Sequence, residues 1–569
     1  MQSPCRSASL ESLESRLFLS RTTADIAEAP PEESLAGRPN IVFILTDDQE
    51  LESMQYMPRV RELLGERGVT FENAFVTNPV CCPSNVTILT GQYSHNTQIL
   101  HNVPPLGGFQ KFVDMGTDGD PATQGDENTL ATWLDDAGYL TGRVGKYLVG
   151  YPAGSTYVPP GWDQWLASYD GFSTYFNYRL NENGTVVQYG GDEEDYLTDV
   201  MTGKSLEFIE GAEATDDQPF FLMYSVNAPH SGVLPNGPPT PAPRHAGMFA
   251  GVTAPRTPSF NEADVSDKPV NIRNLPPLSA AQIGDIDREY QARLESLQAV
   301  DEGVERIIKS LEENGELENT YIFVTSDNGY HLGQHRLRNG KAQPYEEDIR
   351  VPLLVRGPGV REGATLDQFA MNIDFAPTIA ELAHATPRRD VDGRSLAPLL
   401  VRDTPPPHNW RKDVLVEIYR APGQPGFPGK ALRTRHELYV EYTDGFRELY
   451  DLRVDPYQLD NIFAVADAGH VKNLSARLAE LVACAGESCR DSTGEARSQI
   501  ARATGGSSAS AAATPVDQVR VIPAFAPAPP PGHTVFLSGS EQAAHDVWDD
   551  EPSSLAVIDP IAMDAPFAT

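Results

Sequence analysis

The chain has 569 residues, which is long enough for one large domain with a smaller one or for three domains. Its hydrophobic share of 40% suits a globular protein. Its net charge of −36 argues against nucleic acid or an anionic membrane surface as a partner. No apolar run approaches the roughly 18 residues of a membrane-spanning helix, so the sequence predicts no transmembrane segment.

Residues 1–38 are expected to be a disordered leader and linker, because the stretch 24–33 is acidic and contains prolines. A standard signal peptide contains an apolar core of roughly 7–15 residues, and this segment has none. The sequence therefore predicts that the folded part begins near residue 39.

The first predicted strand runs into two neighbouring acids. Residues 40–49 contain an unbroken apolar run, typical of a central parallel strand buried on both faces, and then Asp47 and Asp48. Ligands of such sheets bind beyond the carboxyl ends of the strands. Two adjacent carboxylates repel each other unless a cation joins them, and hard oxygen ligands suit Ca²⁺ or Mg²⁺. The alternative is an acidic turn exposed to solvent.

The stretch 80–95 predicts a reactive position at the start of a helix. Pro83 is a signal of a helix N-terminus, apolar residues follow it, and Gly91 ends the run. Cys81 is therefore expected just before the helix, where free N–H groups and aligned peptide dipoles favour an anion. The alternative is that Cys81 and Cys82 are two buried cysteines beside a short helix.

Two segments in the middle of the chain place polar residues after predicted elements. Residues 129–137 predict a helix, after which a glycine-rich segment leads to Lys146. Residues 219–230 predict another buried strand, which ends at His230, although a lone histidine is more often structural than catalytic. Residues 231–280 are rich in proline and glycine, and we expect a long loop that borders a binding cleft.

A long amphipathic helix precedes a third buried strand. The apolar residues of 283–311 keep helical spacing, and an Asn-Gly pair follows them. Residues 321–329 predict a strand that runs into Asp327 and Asn328, so acids follow two separate buried strands. One further apolar strand is predicted at 351–355.

The character of the sequence changes near residue 405. Strand-like pieces and one amphipathic helix predict an α+β subdomain in residues 405–490, with strands at 413–418, 437–442 and 448–452 and a helix at 471–484. Cys484 and Cys489 are close enough to form a small disulfide loop, but the count of five cysteines does not decide the compartment. Residues 491–569 are rich in Ser, Ala, Pro and Gly, and we expect a disordered tail.

The stretch around Cys81 resembles the signature of type I sulfatases, Cys-x-Pro-Ser-Arg followed by a Leu-Thr-Gly turn. In that family the first cysteine is oxidised to formylglycine, and the match assigns this position to Cys81 with Cys82 in the variable place. One position departs from the signature, because Asn85 stands where the family has arginine. The family uses that arginine for recognition by the formylglycine-generating enzyme and to hold the active site.

Further motifs in the same order extend the resemblance over roughly residues 39–490. It implies an α/β, alkaline-phosphatase-like fold, with a large mixed, mostly parallel sheet flanked by helices in residues 39–404 and a smaller antiparallel sheet in residues 405–490. The motif Ser-Asp-Asn-Gly-Tyr-His at 326–331 and the pair Cys484 and Cys489 are most similar to the N-acetylglucosamine-6-sulfatase and extracellular endosulfatase branch. The site residues implied by the family are the metal ligands Asp47, Asp48, Cys81, Asp327 and Asn328 and the catalytic groups Cys81, Lys146, His230 and Lys341.

The resemblance implies metal-assisted covalent hydrolysis of sulfate esters on sugars or glycans. The hydrated aldehyde derived from Cys81 would attack sulfur, with Ca²⁺, or Mg²⁺ as the alternative, bound to the sulfate oxygens. Lys146 and Lys341 would neutralise the developing charge, and His230 would protonate the leaving alcohol. The resemblance also implies a formylglycine-generating enzyme as a partner, and we expect export to the periplasm or the outside of the cell.

Two other functions remain open. A phosphodiesterase or phosphonate monoester hydrolase of the same superfamily uses the same cysteine motif, and activity on paired sulfate and phosphate esters separates the two. The second alternative is a catalytically inactive relative that binds glycans, and the feature that supports it is Asn85.

Overall fold

A computed structural model of the chain describes residues 37–115, 125–151, 156–169, 174–213, 218–232, 237–401, 407 and 409–490. The predicted tail 491–569 and all but the last two residues of the predicted leader 1–38 lie outside the described residues. The division between residues 39–404 and 405–490 stays a prediction. None of the helices in the described ranges is long and apolar enough to cross a membrane.

Sixteen strands occur in the described residues. They are β1 (Asn40–Thr46), β2 (Val69–Phe71), β3 (Ala74–Phe75), β4 (Leu140–Gly145), β5 (Gln164–Ser168), β6 (Arg179–Glu182), β7 (Thr185–Gln188), β8 (Phe220–Ser225), β9 (Thr320–Ser326), β10 (Leu353–Arg356), β11 (Ala364–Leu366), β12 (Ala370–Met371), β13 (Asp413–Ile418), β14 (Gly429–Thr434), β15 (Glu437–Tyr442) and β16 (Arg447–Asp451).

The α-helices of the same residues range from single turns to one helix of 34 residues. They are α1 (Pro58–Val60), α2 (Cys81–Thr90), α3 (Ser94–Thr97), α4 (Phe109–Val113), α5 (Leu130–Asp136), α6 (Leu197–Glu213), α7 (Val270–Arg273), α8 (Ala280–Glu313), α9 (Glu346–Ile349), α10 (Phe375–Leu382), α11 (Ala397–Leu400), α12 (Ala468–Val482) and α13 (Glu487–Arg490).

Ten of the strands form one mixed sheet in the order β11-β2-β10-β9-β1-β8-β4-β5-β6-β7. Its centre, β9-β1-β8-β4-β5, is parallel, while β10 runs antiparallel to β9. Strand β1 is buried along its whole length, with Ile41 and Phe43 in one core cluster and Val42 and Ile44 in another. An apolar run without alternation is therefore needed here, because helices cover both faces of the sheet. This arrangement confirms the predicted mixed, mostly parallel sheet.

A separate four-stranded antiparallel sheet, β13-β14-β15-β16, forms the smaller subdomain. Leu474, Leu478 and Leu481 on one face of α12 pack into its core cluster. A disulfide joins Cys484 to Cys489 just after α12.

The sequence missed some elements and shifted others. Cys81 is the first residue of α2 rather than the residue before the helix. Strand β14 was not predicted, because Lys430 and Arg433 interrupt its apolar pattern, and neither was the hairpin of β6 and β7, whose outer strand is largely exposed. Helix α6 was missed as well. The described part of the predicted loop 231–280 contains the helical turn α7, a 3₁₀ turn at Pro243–His245 and the first residue of α8.

Helices α8 and α6 pack against each other on the same face of the sheet. A capping box begins α8, since the Ser279 hydroxyl accepts the N–H of Gln282 at 3.3 Å and the Gln282 Oε1 accepts the N–H of Ser279 at 2.9 Å. Gly303 allows the close approach of the two helices, because an added Cβ would lie 2.6 Å from the Thr202 hydroxyl on α6 and 3.3 Å from the Tyr224 hydroxyl.

The substitution Gly303→Ala tests this packing. We expect a lower free energy of unfolding by about 1–3 kcal/mol in urea denaturation, because overpacking outweighs the better helix propensity of alanine. Gly211→Ala is the matched control, since it lies on the exposed side of α6 with no atom within 4 Å of an added Cβ. The control should be neutral or stabilising by up to about 1 kcal/mol. Equal effects of the two substitutions would contradict the close contact.

Candidate active site

The parallel strands of the large sheet end at one edge, and the predicted site residues lie there. Strands β1, β4, β8 and β9 are mutually parallel neighbours, so the residues that follow them converge in space. Helix α2 contributes from one side of this edge and the segment after β9 from the other. The residues brought together are Asp47 and Asp48 after β1, Lys146 after β4, His230 after β8, Asp327 and Asn328 after β9, Cys81 on α2, and Lys341.

Four of these side chains form a group that can hold a metal ion. One ligand atom from each of Asp47, Asp48, Cys81 and His230 lies within 4.8 Å of all the others. The Cys81 Sγ is 3.6 Å from Asp47 Oδ1 and 3.8 Å from Asp48 Oδ1, and the His230 Nε2 is 3.7 Å from Asp48 Oδ2. Three of the four are buried, while the His230 side chain is 34% exposed and so reaches solvent.

Asp327 and Asn328 adjoin this group through hydrogen bonds. The backbone N–H of Asp48 donates to Asp327 Oδ1 at 3.0 Å, and Asn328 Nδ2 donates to Asp48 Oδ1 at 2.7 Å. The remaining oxygen, Asn328 Oδ1, is buried and has no hydrogen-bond partner among the described residues. A buried carbonyl oxygen without a donor is costly unless a cation binds it. Together with the aspartate oxygens it makes a donor set that fits a hard divalent cation.

Two lysines approach the carboxylates from the open side. Lys146 Nζ pairs with Asp47 Oδ2, and Lys341 Nζ pairs with Asp48 Oδ1 and lies against the Cys81 Sγ. Burial alone would lower the pKa of Lys146, but the Asp47 carboxylate raises it above its usual value. Burial alone would raise the pKa of Asp48, but the Lys341 ammonium brings it below its usual value. Both lysines are therefore cationic beside the cysteine.

Asp327 and Cys81 have pKa values raised by burial. Burial, with the negative charge of Asp47 added to it, raises the pKa of Asp327 to about 8. Burial also raises the pKa of the Cys81 thiol, although both lysines oppose the change. Without a cation, Asp327 is therefore mostly protonated at pH 7, and the Cys81 thiol is neutral.

Helix α2 holds Cys81 close to the Asp327 carboxylate. Asn85 lies one turn after Cys81, and its Nδ2 donates to the Cys81 carbonyl at 2.9 Å and to Asp327 Oδ2 at 3.2 Å. The Ser84 hydroxyl donates to the Asp327 carbonyl, and the Cys82 N–H donates to Asn102 Oδ1 at 2.8 Å. The departure from the sulfatase signature at Asn85 is therefore in contact with the site.

Arg143 is a site residue that the sequence did not indicate. Its guanidinium donates to the Lys146 carbonyl and lies 4.9 Å from the Tyr147 ring centroid. Burial lowers its pKa to about 10, yet it remains cationic at neutral pH. An arginine inside an otherwise buried strand is the signal that reveals it, because such a residue is rarely buried without a role.

Comparison with known proteins relates the chain to enzymes that act on sulfate esters. The family model described as sulfatase matches residues 39–385, and the model described as N-sulphoglucosamine sulphohydrolase, C-terminal, matches residues 333–483. The N-acetylglucosamine-6-sulfatase of Capra hircus is 38% identical over 80% of this chain and 85% of its own length. A putative extracellular sulfatase Sulf-1 homolog of Caenorhabditis elegans is 39% identical over 67% of this chain, which spans 53% of that protein.

A solved structure supports the same relationship. It is a complex of a protein with its substrate D-glucosamine-2-N,6-O-disulfate, and it matches with a TM-score of 0.65 and 26% identity over 80% of this chain and 98% of its own. These findings confirm the resemblance seen in the sequence and the alkaline-phosphatase-like fold. The chain therefore belongs to the sulfatase family, the sulfuric ester hydrolases that work with a metal ion and a formylglycine.

Proposed function

We propose that this sulfatase hydrolyses the 6-O-sulfate ester of N-acetylglucosamine in sulfated glycans. The observation that carries the proposal is the convergence of Cys81 with three aspartates and two lysines at one edge of the sheet. The substrate class follows the relatives, which include an N-acetylglucosamine-6-sulfatase and a protein bound to a sulfated glucosamine.

We propose Ca²⁺ as the metal, with Mg²⁺ as the alternative, and Asp47, Asp48, Asp327 and Asn328 as its ligands. Carboxylate and amide oxygens are hard ligands, and Ca²⁺ accepts their irregular arrangement more readily than Mg²⁺ does. The unpartnered Asn328 Oδ1 supports a cation at this point. When bound there, the ion supplies positive charge that polarises the sulfate oxygens.

Lys146, Lys341 and His230 would bind the substrate and move a proton. Three aspartates give three negative charges, and two lysines with a divalent cation give four positive ones, so the site is matched to a monoanionic sulfate ester. The lysine ammonium groups flank Cys81, where the sulfate would be held. The partly exposed His230 imidazole faces solvent, where it can donate a proton to the departing sugar hydroxyl.

Cys81 would act after conversion to formylglycine by a formylglycine-generating enzyme. The unmodified thiol is a poor nucleophile, because burial raises its pKa and the thiolate is the reactive form. Formylglycine supplies a hydrated aldehyde as the nucleophile in its place. The Asn85 hydrogen bond to the Cys81 carbonyl would hold the residue in the helix in either form.

We also propose that the enzyme is exported. The Cys484–Cys489 disulfide supports this location, because disulfides persist in oxidising compartments and are rare in the cytosol. The match to a putative extracellular sulfatase homolog also supports export.

Matched esters test the reaction class. Protein from the native host, with Cys81 conversion measured by mass spectrometry, should hydrolyse N-acetylglucosamine 6-sulfate with kcat/KM at least about a hundredfold above that for N-acetylglucosamine 6-phosphate. The reason is that a site matched to a monoanion is not matched to a phosphate dianion. Equal rates, or faster phosphate release, would favour a phosphohydrolase of the same superfamily.

The metal ligands are tested by Asp327→Asn. We expect its Ca²⁺ affinity, measured by calorimetry, to fall more than about a hundredfold, since even outer partners of metal ligands are worth roughly 10–100-fold. The metal-free fold should suffer little, because the change removes repulsion between carboxylates. Asp287→Asn is the control, since Asp287 pairs with Arg256 at a partly exposed position. An unchanged titration for Asp327→Asn would remove Asp327 from the ligand set, and a parallel Mg²⁺ titration identifies the preferred ion.

The substitution Asn85→Arg tests the effect of the missing signature arginine. An arginine-mediated charged hydrogen bond is worth roughly 1.5–3 kcal/mol, so co-expression with a standard formylglycine-generating enzyme should raise conversion of Cys81 about ten- to a hundredfold. Sulfate release should rise in parallel. Asn85→Ala is the control, because it removes the bond to Asp327 without adding a guanidinium.

Complete conversion and full turnover of the wild-type protein would show that the arginine is dispensable here. An Asn85→Arg protein that is converted but inert would instead favour the inactive, glycan-binding alternative.

A further inference from the structure

Arg293 is not one of the proposed metal ligands or catalytic residues, yet it contacts three of the loops that carry them. It belongs to α8, is 0% exposed, and is among the largest fully buried side chains in the described residues. Its Nη1 donates to the Pro229 carbonyl at 3.2 Å, and its Nη2 donates to the Asp48 carbonyl. Its guanidinium also stacks on the Tyr330 ring, 4.0 Å from the centroid.

Each contact reaches a different strand end. Asp48 follows β1, Pro229 precedes His230 after β8, and Tyr330 follows Asn328 after β9. Asp48 has a φ of 67°, a left-handed conformation that costs energy in a residue other than glycine. A donor fixed on its carbonyl opposes relaxation of that peptide.

Glu289, one turn earlier on α8, contacts the segment after β9 at a second point. Its Oε1 accepts the Tyr330 hydroxyl at 2.8 Å, and its Oε2 accepts Asn339 Nδ2 at 2.5 Å. Asn339 lies two residues before Lys341. Residues four apart share one face of a helix, so a single rigid surface reaches the segments after β1, β8 and β9.

We propose that Glu289 and Arg293, here called the α8 clamp, are positioning residues that fix these three loops in the geometry needed to bind the metal and the sulfate. The inference rests on the proposed function. A planar guanidinium can donate to two carbonyls and stack on a ring at once, whereas a lysine ammonium cannot. Arg293 also pairs with Glu50, at 2.5 Å, and both side chains are buried.

The buried ion pair between Arg293 and Glu50 indicates that the α8 clamp does more than stabilise the fold. Burying two charges costs several kcal/mol per ion before their attraction is counted, and apolar replacements of such pairs are often neutral or stabilising. A chain selected only for stability would not need an arginine at this point. Its guanidinium N–H groups instead donate to backbone carbonyls of the loops that carry the site.

The test is Arg293→Lys, which keeps the charge for Glu50 and loses the planar fork. We expect the Kd for Ca²⁺, measured by calorimetry on protein with unmodified Cys81, to rise about tenfold. In converted enzyme, kcat for N-acetylglucosamine 6-sulfate should fall about a hundredfold while KM changes less than about threefold, because misplaced groups slow the reaction more than they weaken binding.

The control is Arg244→Lys. Arg244 forms ion pairs with Asp199 on α6 and Glu302 on α8, so it also joins α8 to its surroundings, but it is one-third exposed and neither partner is a site residue. Its Ca²⁺ Kd and kcat should equal those of the wild type. A purely structural role of Arg293 predicts the same result for both variants, namely a lower Tm with unchanged Kd and kcat.

Two further variants keep the proposal testable if Arg293→Lys does not fold. Arg293→Met with Glu50→Gln removes both charges together, and Tyr330→Leu removes the stacked ring while keeping Arg293. Weaker Ca²⁺ binding in a folded variant supports the clamp, and a wild-type Kd and kcat in any of them overturns it. A wild-type protein that neither binds Ca²⁺ nor releases sulfate rejects the proposed function itself.

Discussion

Repulsion between buried carboxylates is the constraint on which the site depends. Asp47, Asp48 and Asp327 are each at most 2% exposed and meet where the parallel strands end. In a region of low dielectric such a group is unstable unless positive charge lies among the oxygens. Lys146 and Lys341 supply part of that charge, so three carboxylates face two ammonium groups. A chain that retains this arrangement is organised to hold a cation, and the cation in turn favours an anionic substrate at the same point.

Positions fixed by strand ends were predictable, and positions fixed by contacts across the fold were not. An apolar run that stops at acids locates Asp47 and Asp327 without any knowledge of the fold, because parallel strands must end at a common edge. Arg143 and Arg293 stand in a strand and a helix, where the local pattern reads as core. Both also donate to backbone carbonyls, contacts that the sequence pattern does not indicate. Strand β14 was missed for a related reason, since its polar residues Lys430 and Arg433 are paired with distant carboxylates.

Helices on the two faces of the sheet position different parts of the site. On one face, α2 carries Cys81 and reaches Asp327 through Asn85 and Ser84. On the opposite face, α8 reaches the backbone of the loops after β1 and β8 through Arg293. The two helices pack into different core clusters, and the strand ends lie between them. Rigid elements on both sides hold a reacting group more precisely than loops alone can.

Asn85 is better explained as an altered part of a working site than as the remnant of a lost one. A site released from selection has no reason to keep its buried lysines, since each is costly without its carboxylate. Here Lys146 remains paired with Asp47 and Lys341 with Asp48, and Asn85 itself donates to both the Cys81 carbonyl and the Asp327 carboxylate. What asparagine lacks is the positive charge of arginine and its planar fork. The substitution therefore removes a positive charge and a planar fork near Cys81, while position 85 keeps its hydrogen bonds to Cys81 and Asp327.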